Sequence, residues 1–206
     1  MILALSLLSV NAVAQQKHAY VDLGLPSGTK WATCNVGAKV PQDYGSYFAW
    51  GETSPKSFFN VTSYKLCKGE YYSLTKYNTS SYYGTVDNKT ELELNDDAAH
   101  VNWGEGWRIP SKAQIVELIN PKYTKSEWKS LNGVKGLKIT SKKNGKSIFL
   151  PASDMDYAGL LGQYWSRTLG KNGGDEAWAF FFNLKGYVST SNDDRNYGHS
   201  VRSVRR

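Results

Sequence analysis

The chain has 206 residues, 40% of them hydrophobic and 21% charged, ordinary proportions for a globular protein and enough length for one domain with a full core. Twenty-five Lys and Arg against 18 Asp and Glu give a formal charge of +7, but the lysines are scattered, and the one dense basic run is Arg202, Arg205 and Arg206. Three arginines make no nucleic-acid stripe, so nucleic-acid binding is excluded as a reading. The 7 Trp, 14 Tyr and 7 Phe fit a β-rich, extracytoplasmic protein better than a helical bundle.

Residues 1–14 are apolar and uncharged, and Ala12-Val13-Ala14 has the small-x-small form of a leader cleavage site. A signal peptide over 1–14 and a single domain over 15–206 are therefore expected, with export to the periplasm, cell surface or medium. No basic residue follows Met1, which leaves open a start further upstream. The stretch is too short to span a bilayer.

Tyr20 to Thr33 reads as a hairpin around Pro26-Ser27-Gly28. Tyr47-Phe48-Ala49-Trp50-Gly51 reads as a buried strand with a glycine stop. Cys34 and Cys67 are the two cysteines. In an oxidising compartment a disulfide between them would add about 3–4 kcal/mol through loop closure. Spacing alone leaves two free thiols as an equal alternative. Ser54 to Asp87 is long and rich in Tyr, Ser, Lys, Asn and Gly, a composition like that of antibody paratopes.

Glu91, Glu93, Asp96 and Asp97 precede a short helix opening at Ala98-Ala99. Calcium needs about six to eight converging oxygens, and no EF-hand spacing is present, so no cofactor is expected and calcium has no supporting motif. The clearest helix spans about 111–120. Ser111 and Gln114 form a capping box, Ile115, Val116, Leu118 and Ile119 give the apolar face, and Asn120-Pro121 is the stop. A mixed sheet laid over this helix is expected.

Trp128 to Gly136 reads as a loop. Leu137–Ser141 and Ser147–Leu150 then form a hairpin, with Asn144-Gly145 as a type I′ turn pair. Gln163–Thr168, Ala177–Asn183 and Gly186–Thr190 read as strands, with polar loops at 170–174 and 191–196 and a last strand over 200–204. Ala177-Trp178-Ala179-Phe180-Phe181-Phe182 is apolar on both faces, so it belongs inside a sheet.

No catalytic constellation is visible. His18, His100 and His199 lack partners at metal-ligand spacing, and no Gly-x-Ser-x-Gly, phosphate loop or dinucleotide fingerprint occurs. The reading is non-enzymatic.

Several motifs together are similar to the Fibrobacter succinogenes major paralogous domain family of gut Bacteroidetes. They are Tyr20-Val21-Asp22-Leu23-Gly24-Leu25-Pro26-Ser27-Gly28, Trp31-Ala32-Thr33-Cys34-Asn35-Val36-Gly37, Tyr47-Phe48-Ala49-Trp50-Gly51-Glu52, Gly106-Trp107-Arg108-Ile109-Pro110-Ser111 and Tyr164-Trp165-Ser166. The resemblance spans residues 20–205. It implies an α+β, C-type-lectin-like fold related to the formylglycine-generating enzymes and to variable proteins of diversity-generating retroelements, with the binding face on the C-terminal strands and loops. The paired active-site cysteines of the formylglycine-generating enzymes have no counterpart, since the C-terminal half lacks cysteine. The Glu-Pro-Asn and Trp-Asn-Asp motifs of calcium lectins are missing too.

Arg167, Asn183, Tyr187, Asn192, Asp193, Asp194, Asn196 and His199 are the candidate ligand-binding residues, for a glycan or a surface protein. Arg195 and Arg202 read as scaffold. The alternative is a diversified retroelement target, in which the same face would be hypervariable; a formylglycine-generating-type enzyme is the least favoured reading.

Overall fold

The computed structural model describes residues 18–206, so the expected leader lies outside the described residues. The fold is α+β, mostly sheet with two short helices. β1 (Tyr20–Asp22) and β2 (Lys30–Ala32) form the expected hairpin, closed by Gly28 N donating to Leu25 O at 2.9 Å. β11 (Val204–Arg205) pairs with the other edge of β2, so the two ends of the domain share one small sheet.

The central sheet is mixed, as expected. Its order is β3 (Tyr47–Phe48), β10 (His199–Ser200), β7 (Leu161–Leu169), β8 (Glu176–Asn183) and β9 (Val188–Asp194). β10 runs parallel to β7, and the other pairs are antiparallel. A third sheet is the meander β4 (Thr124–Leu131), β5 (Val134–Ser141) and β6 (Ser147–Pro151).

The central sheet is apolar on both sides, which is why β8 carries an unbroken apolar run. Trp165, Leu169, Ala177 and Ala179 pack against Phe48, Trp50, Trp103 and Trp107. Tyr164, Phe180 and Phe182 belong to a second cluster that joins all three sheets through Trp31, Leu137, Ile139 and Val204. α1 (Ala98–Trp103) starts at Asp97, whose Oδ1 accepts from Ala99 N and His100 N. α2 (Lys112–Leu118) has the expected capping box between Ser111 and Gln114, and Ile115 and Leu118 enter the second cluster. Val116 does not share that face; it is 45% exposed, because position 116 points away from the sheet once 115 and 118 are seated.

Five further expectations are corrected. Residues 128–131 are not loop but the end of β4, and Asn132-Gly133 is the two-residue turn to β5, with φ of 50° and 86°. That is the type I′ geometry expected at Asn144-Gly145, where only Gly145 has positive φ and a longer loop closes through Gly145 N to Ser141 O. β9 continues to Asp194, so Asn192, Asp193 and Asp194 are strand residues rather than loop. The expected last strand divides into β10 and β11, and the buried Arg202 lies between them, donating to Asn35 Oδ1, Ala32 O and Thr33 O. The expected strand at Tyr47–Gly51 is on the ladder only for Tyr47 and Phe48.

Cys34 and Cys67 are not joined. Both thiols are free, Cys34 Sγ donating to Ala38 O and Cys67 Sγ to Val61 O. No helix among the described residues is long and apolar enough to cross a membrane.

Candidate ligand-binding site

The β8–β9 ladder sets the site. Its register places Asn192, Thr190 and Val188 opposite Trp178, Phe180 and Phe182. Asp193, Ser191 and Ser189 lie opposite Ala177, Ala179 and Phe181 on the other face. Both alanines are fully buried in the first cluster, so the polar side chains beside them form the floor. Across it Gln163 Nε2 donates to Asp193 Oδ2 at 2.9 Å, and His199 Nε2 is 2.9 Å from the same oxygen. The imidazole lies over Trp165, with ring centroids 4.1 Å apart. Gly198 has no side chain because a Cβ there would meet the Phe59 ring at 2.5 Å and Met155 Sδ at 2.7 Å. The hollow beside it, about 250 Å³, is lined by Phe59, Asp154, Met155, Gln163, Tyr197 and His199.

Four carboxylates gather at this end of the ladder: Asp193 on the Ala177 face, the paired Glu176 and Asp194 on the Trp178 face, and Asp175 next in the chain. Burial works to raise Asp193, but the hydrogen bond and charge of His199, with Asp194 N and Gln163, take its carboxyl below the usual value. Glu176 and Asp194 are raised, first by burial and then by the neighbouring negative charges. Asp175, Glu176 and Asp194 form no ion pair with a Lys or Arg among the described residues. The pH dependence follows by sign. Asp193 supplies stability at neutral pH that is lost as pH falls through its lowered value, whereas Glu176 and Asp194 are relieved by protonation. Asp194→Asn is therefore expected to raise the melting midpoint at pH 7 by roughly 1–2 °C, a gain that fades below about pH 4, measured by thermal melts at both pH values.

Exposed aromatic rings lie at the two ends of the ladder. Tyr187 is 54% exposed, with its ring edge-on to Phe181 at 5.5 Å, and Tyr197 is 45% exposed. Tyr72, Tyr82 and Tyr83 form a cluster with centroid distances of 4.9 Å (72–82) and 5.0 Å (82–83). Gly174 lets that cluster close on the β7–β8 loop, since a Cβ there would overlap the Tyr83 ring at 2.1 Å. Arg195 fixes the long 54–87 segment from beneath. Its guanidinium donates to Tyr64 Oη, Tyr77 O, Gly174 O and Lys76 O and lies 4.8 Å from the Trp50 ring centroid.

The structure gathers only some of the candidates named from sequence. Asp193 and His199 come together, and Asp194 N donates to Asp193 Oδ1; Asn192 lies on the other face of β9 opposite Trp178, and Tyr187 lies in the turn before β9. His199 and Asn196 are 3% and 5% exposed, so they shape the floor and offer a ligand almost no area. Asn183 Oδ1 accepts from Lys185 N and Tyr187 N and shapes the β8–β9 turn. Arg167 is elsewhere. It pairs with Glu91 at 2.9 Å, donates to Ile109 O and Gln114 Oε1, and lines a cleft of about 820 Å³ with Trp107, Arg108 and Arg205. That cleft is larger than the hollow beside His199; Arg167 and Arg108 in it are held by Glu91 and Asp97, and Arg205 lies over the Tyr20 and Trp107 rings.

Sequence reasoning missed Gln163, Asp175, Glu176 and Tyr197. Tyr197 carried the same amphipathic signal as Tyr187; Gln163 carried none. No grouping of three or more His, Cys, Asp or Glu side chains able to hold a metal occurs among the described residues. Comparisons with models of protein families, with curated proteins and with solved structures returned no match to this chain.

Proposed function

We propose that this chain is an exported, non-catalytic binding module of the Fibrobacter succinogenes major paralogous domain family, on a C-type-lectin-like scaffold. Its ligand face is the β8–β9 floor with its aromatic rim, and its ligand is a glycan or a surface protein. The observation that carries the reading is the set of exposed tyrosines at the two ends of a polar, partly buried ladder. Tyr187 and Tyr197 are about half exposed, and Tyr72 and Tyr82 are 60% and 65% exposed. Tyrosine offers contact area at low entropic cost while its hydroxyl still meets polar groups, so rings of this kind around hydrogen-bonding side chains suit recognition better than solubility.

The test is a screen of the secreted protein on a glycan array and a panel of purified bacterial and host surface proteins, with and without calcium. Reproducible binding that does not need calcium is expected. Blank results on both would contradict the reading.

A further inference from the structure

Among the described residues six strands lie at sheet edges: β1, β11, β3, β9, β4 and β6. β1, β3 and β11 have only two or three residues. β4 carries Lys125, Glu127 and Lys129, and β6 ends in Pro151, which are the usual devices that keep an edge from pairing. β9 is seven residues long, has no Lys, Arg or Pro, and keeps a regular register with β8 throughout.

Among the described residues no strand pairs with its outer edge, where Thr190 O accepts from Ser189 Oγ at 3.3 Å. At the two ends of the ladder, Asn183 N donates to Tyr187 O and Arg195 N to Asp175 O. In an antiparallel pair the bonded positions alternate, so Ser189, Ser191 and Asp193 turn their backbone groups to β8, and Val188, Thr190 and Asn192 turn theirs outward. All seven residues are partly exposed. Asn192 Oδ1 also has no partner.

Charge says what fits. The chain is +7 overall, yet Asp193 and Asp194 at the end of β9 face Ala177 and Glu176, beside Asp175, with no Lys or Arg paired to Asp175, Glu176 or Asp194 among the described residues. Tyr197, which hydrogen-bonds Asp194, and Tyr83, packed on Gly174, add aromatic faces at the same end.

We propose that the outer edge of β9 receives an extended, lysine- or arginine-bearing segment of another polypeptide by strand addition. Backbone hydrogen bonds to Val188, Thr190 and Asn192 hold the segment, and the Asp193–Asp194 end selects its positive charge. This rests on the binding-module reading and narrows its ligand to a basic peptide.

The probe is a fluorescein-labelled peptide of about ten residues alternating lysine with threonine and valine, titrated by anisotropy. One companion peptide has backbone N-methyl groups along one edge, and another has glutamate for lysine. The parent is expected to bind, to weaken about tenfold on N-methylation, to fail with glutamate and to lose affinity with added salt. Asp194→Asn should weaken it several-fold. The N-methyl comparison leaves the protein unaltered, so misfolding cannot imitate the result.

No binding by the parent, or equal binding by the N-methylated peptide, overturns the proposal. So does a dimer in sedimentation velocity that Thr190→Pro abolishes, which would give the edge to a second copy. Glycan hits lost in Tyr187→Ala, together with a silent peptide, would overturn this proposal and leave the module reading standing.

Discussion

Arg195→Met is expected to lower the unfolding free energy by about 4 kcal/mol and to free the 54–87 segment while the central sheet remains. Methionine keeps most of the volume beside Trp50 but donates nothing. Four acceptors lose their donor: Tyr64 Oη, Tyr77 O, Gly174 O and Lys76 O. A buried group left unpaired costs about 1–3 kcal/mol, and water reaching the Lys76 side recovers part of the sum. Three of these contacts lie within 54–87, and the same segment presents Tyr72 and Tyr82 to solvent. The loss of stability is read by urea unfolding. The loss of order is read by limited proteolysis, with new cuts between 54 and 87. A cleavage pattern like that of the unaltered protein would mean that Arg195 does not hold the segment.

Asp97→Ala is expected to cost about 3–4 kcal/mol, the usual range when one partner of a buried charged network is removed. Asp97 is 0% exposed. It caps α1 through Ala99 N and His100 N, accepts from Ile109 N at 3.0 Å and takes Arg108 Nε at 2.7 Å. It therefore joins the start of α1 to the turn that leads into α2. Asp97→Asn keeps a capping oxygen and loses the charge facing Arg108, so about half that cost is expected. Equal losses in the two variants, measured by denaturant unfolding, would show that the cap contributes little.

The same residues explain what could be read from the sequence. The capping box at Ser111 and Gln114 and the turn at Pro26-Ser27-Gly28 are local chemistry, and both occur where expected. The apolar run of β8 signalled a strand covered on two faces, and two clusters cover it. β4 was hidden because an edge strand needs few apolar side chains; Trp128 is the one that packs on the second cluster, and most of the rest are Thr, Ser, Glu and Lys. The Ser-Asn-Asp-Asp run looked like a loop for the same reason. Its strand character comes from pairing with β8, not from its own side chains. The site was half legible. Polar character pointed to Asp193, Asp194 and Asn192, but only packing reveals that His199 is sealed over Trp165, that Arg167 lies across the molecule on Glu91, and that Gln163 reaches Asp193.

The central claim is that ligand contact occurs on the β8–β9 face and not in the larger cleft beside Arg167. The most direct measurement takes any ligand recovered from the glycan or protein panels and compares its affinity for Tyr187→Ala, Asp194→Asn and Arg167→Ala. The account predicts a loss of about tenfold for Tyr187→Ala, a several-fold loss for Asp194→Asn and little change for Arg167→Ala, as expected when only the first two lie in the contact. Loss confined to Arg167→Ala would move the site to the cleft and contradict the account.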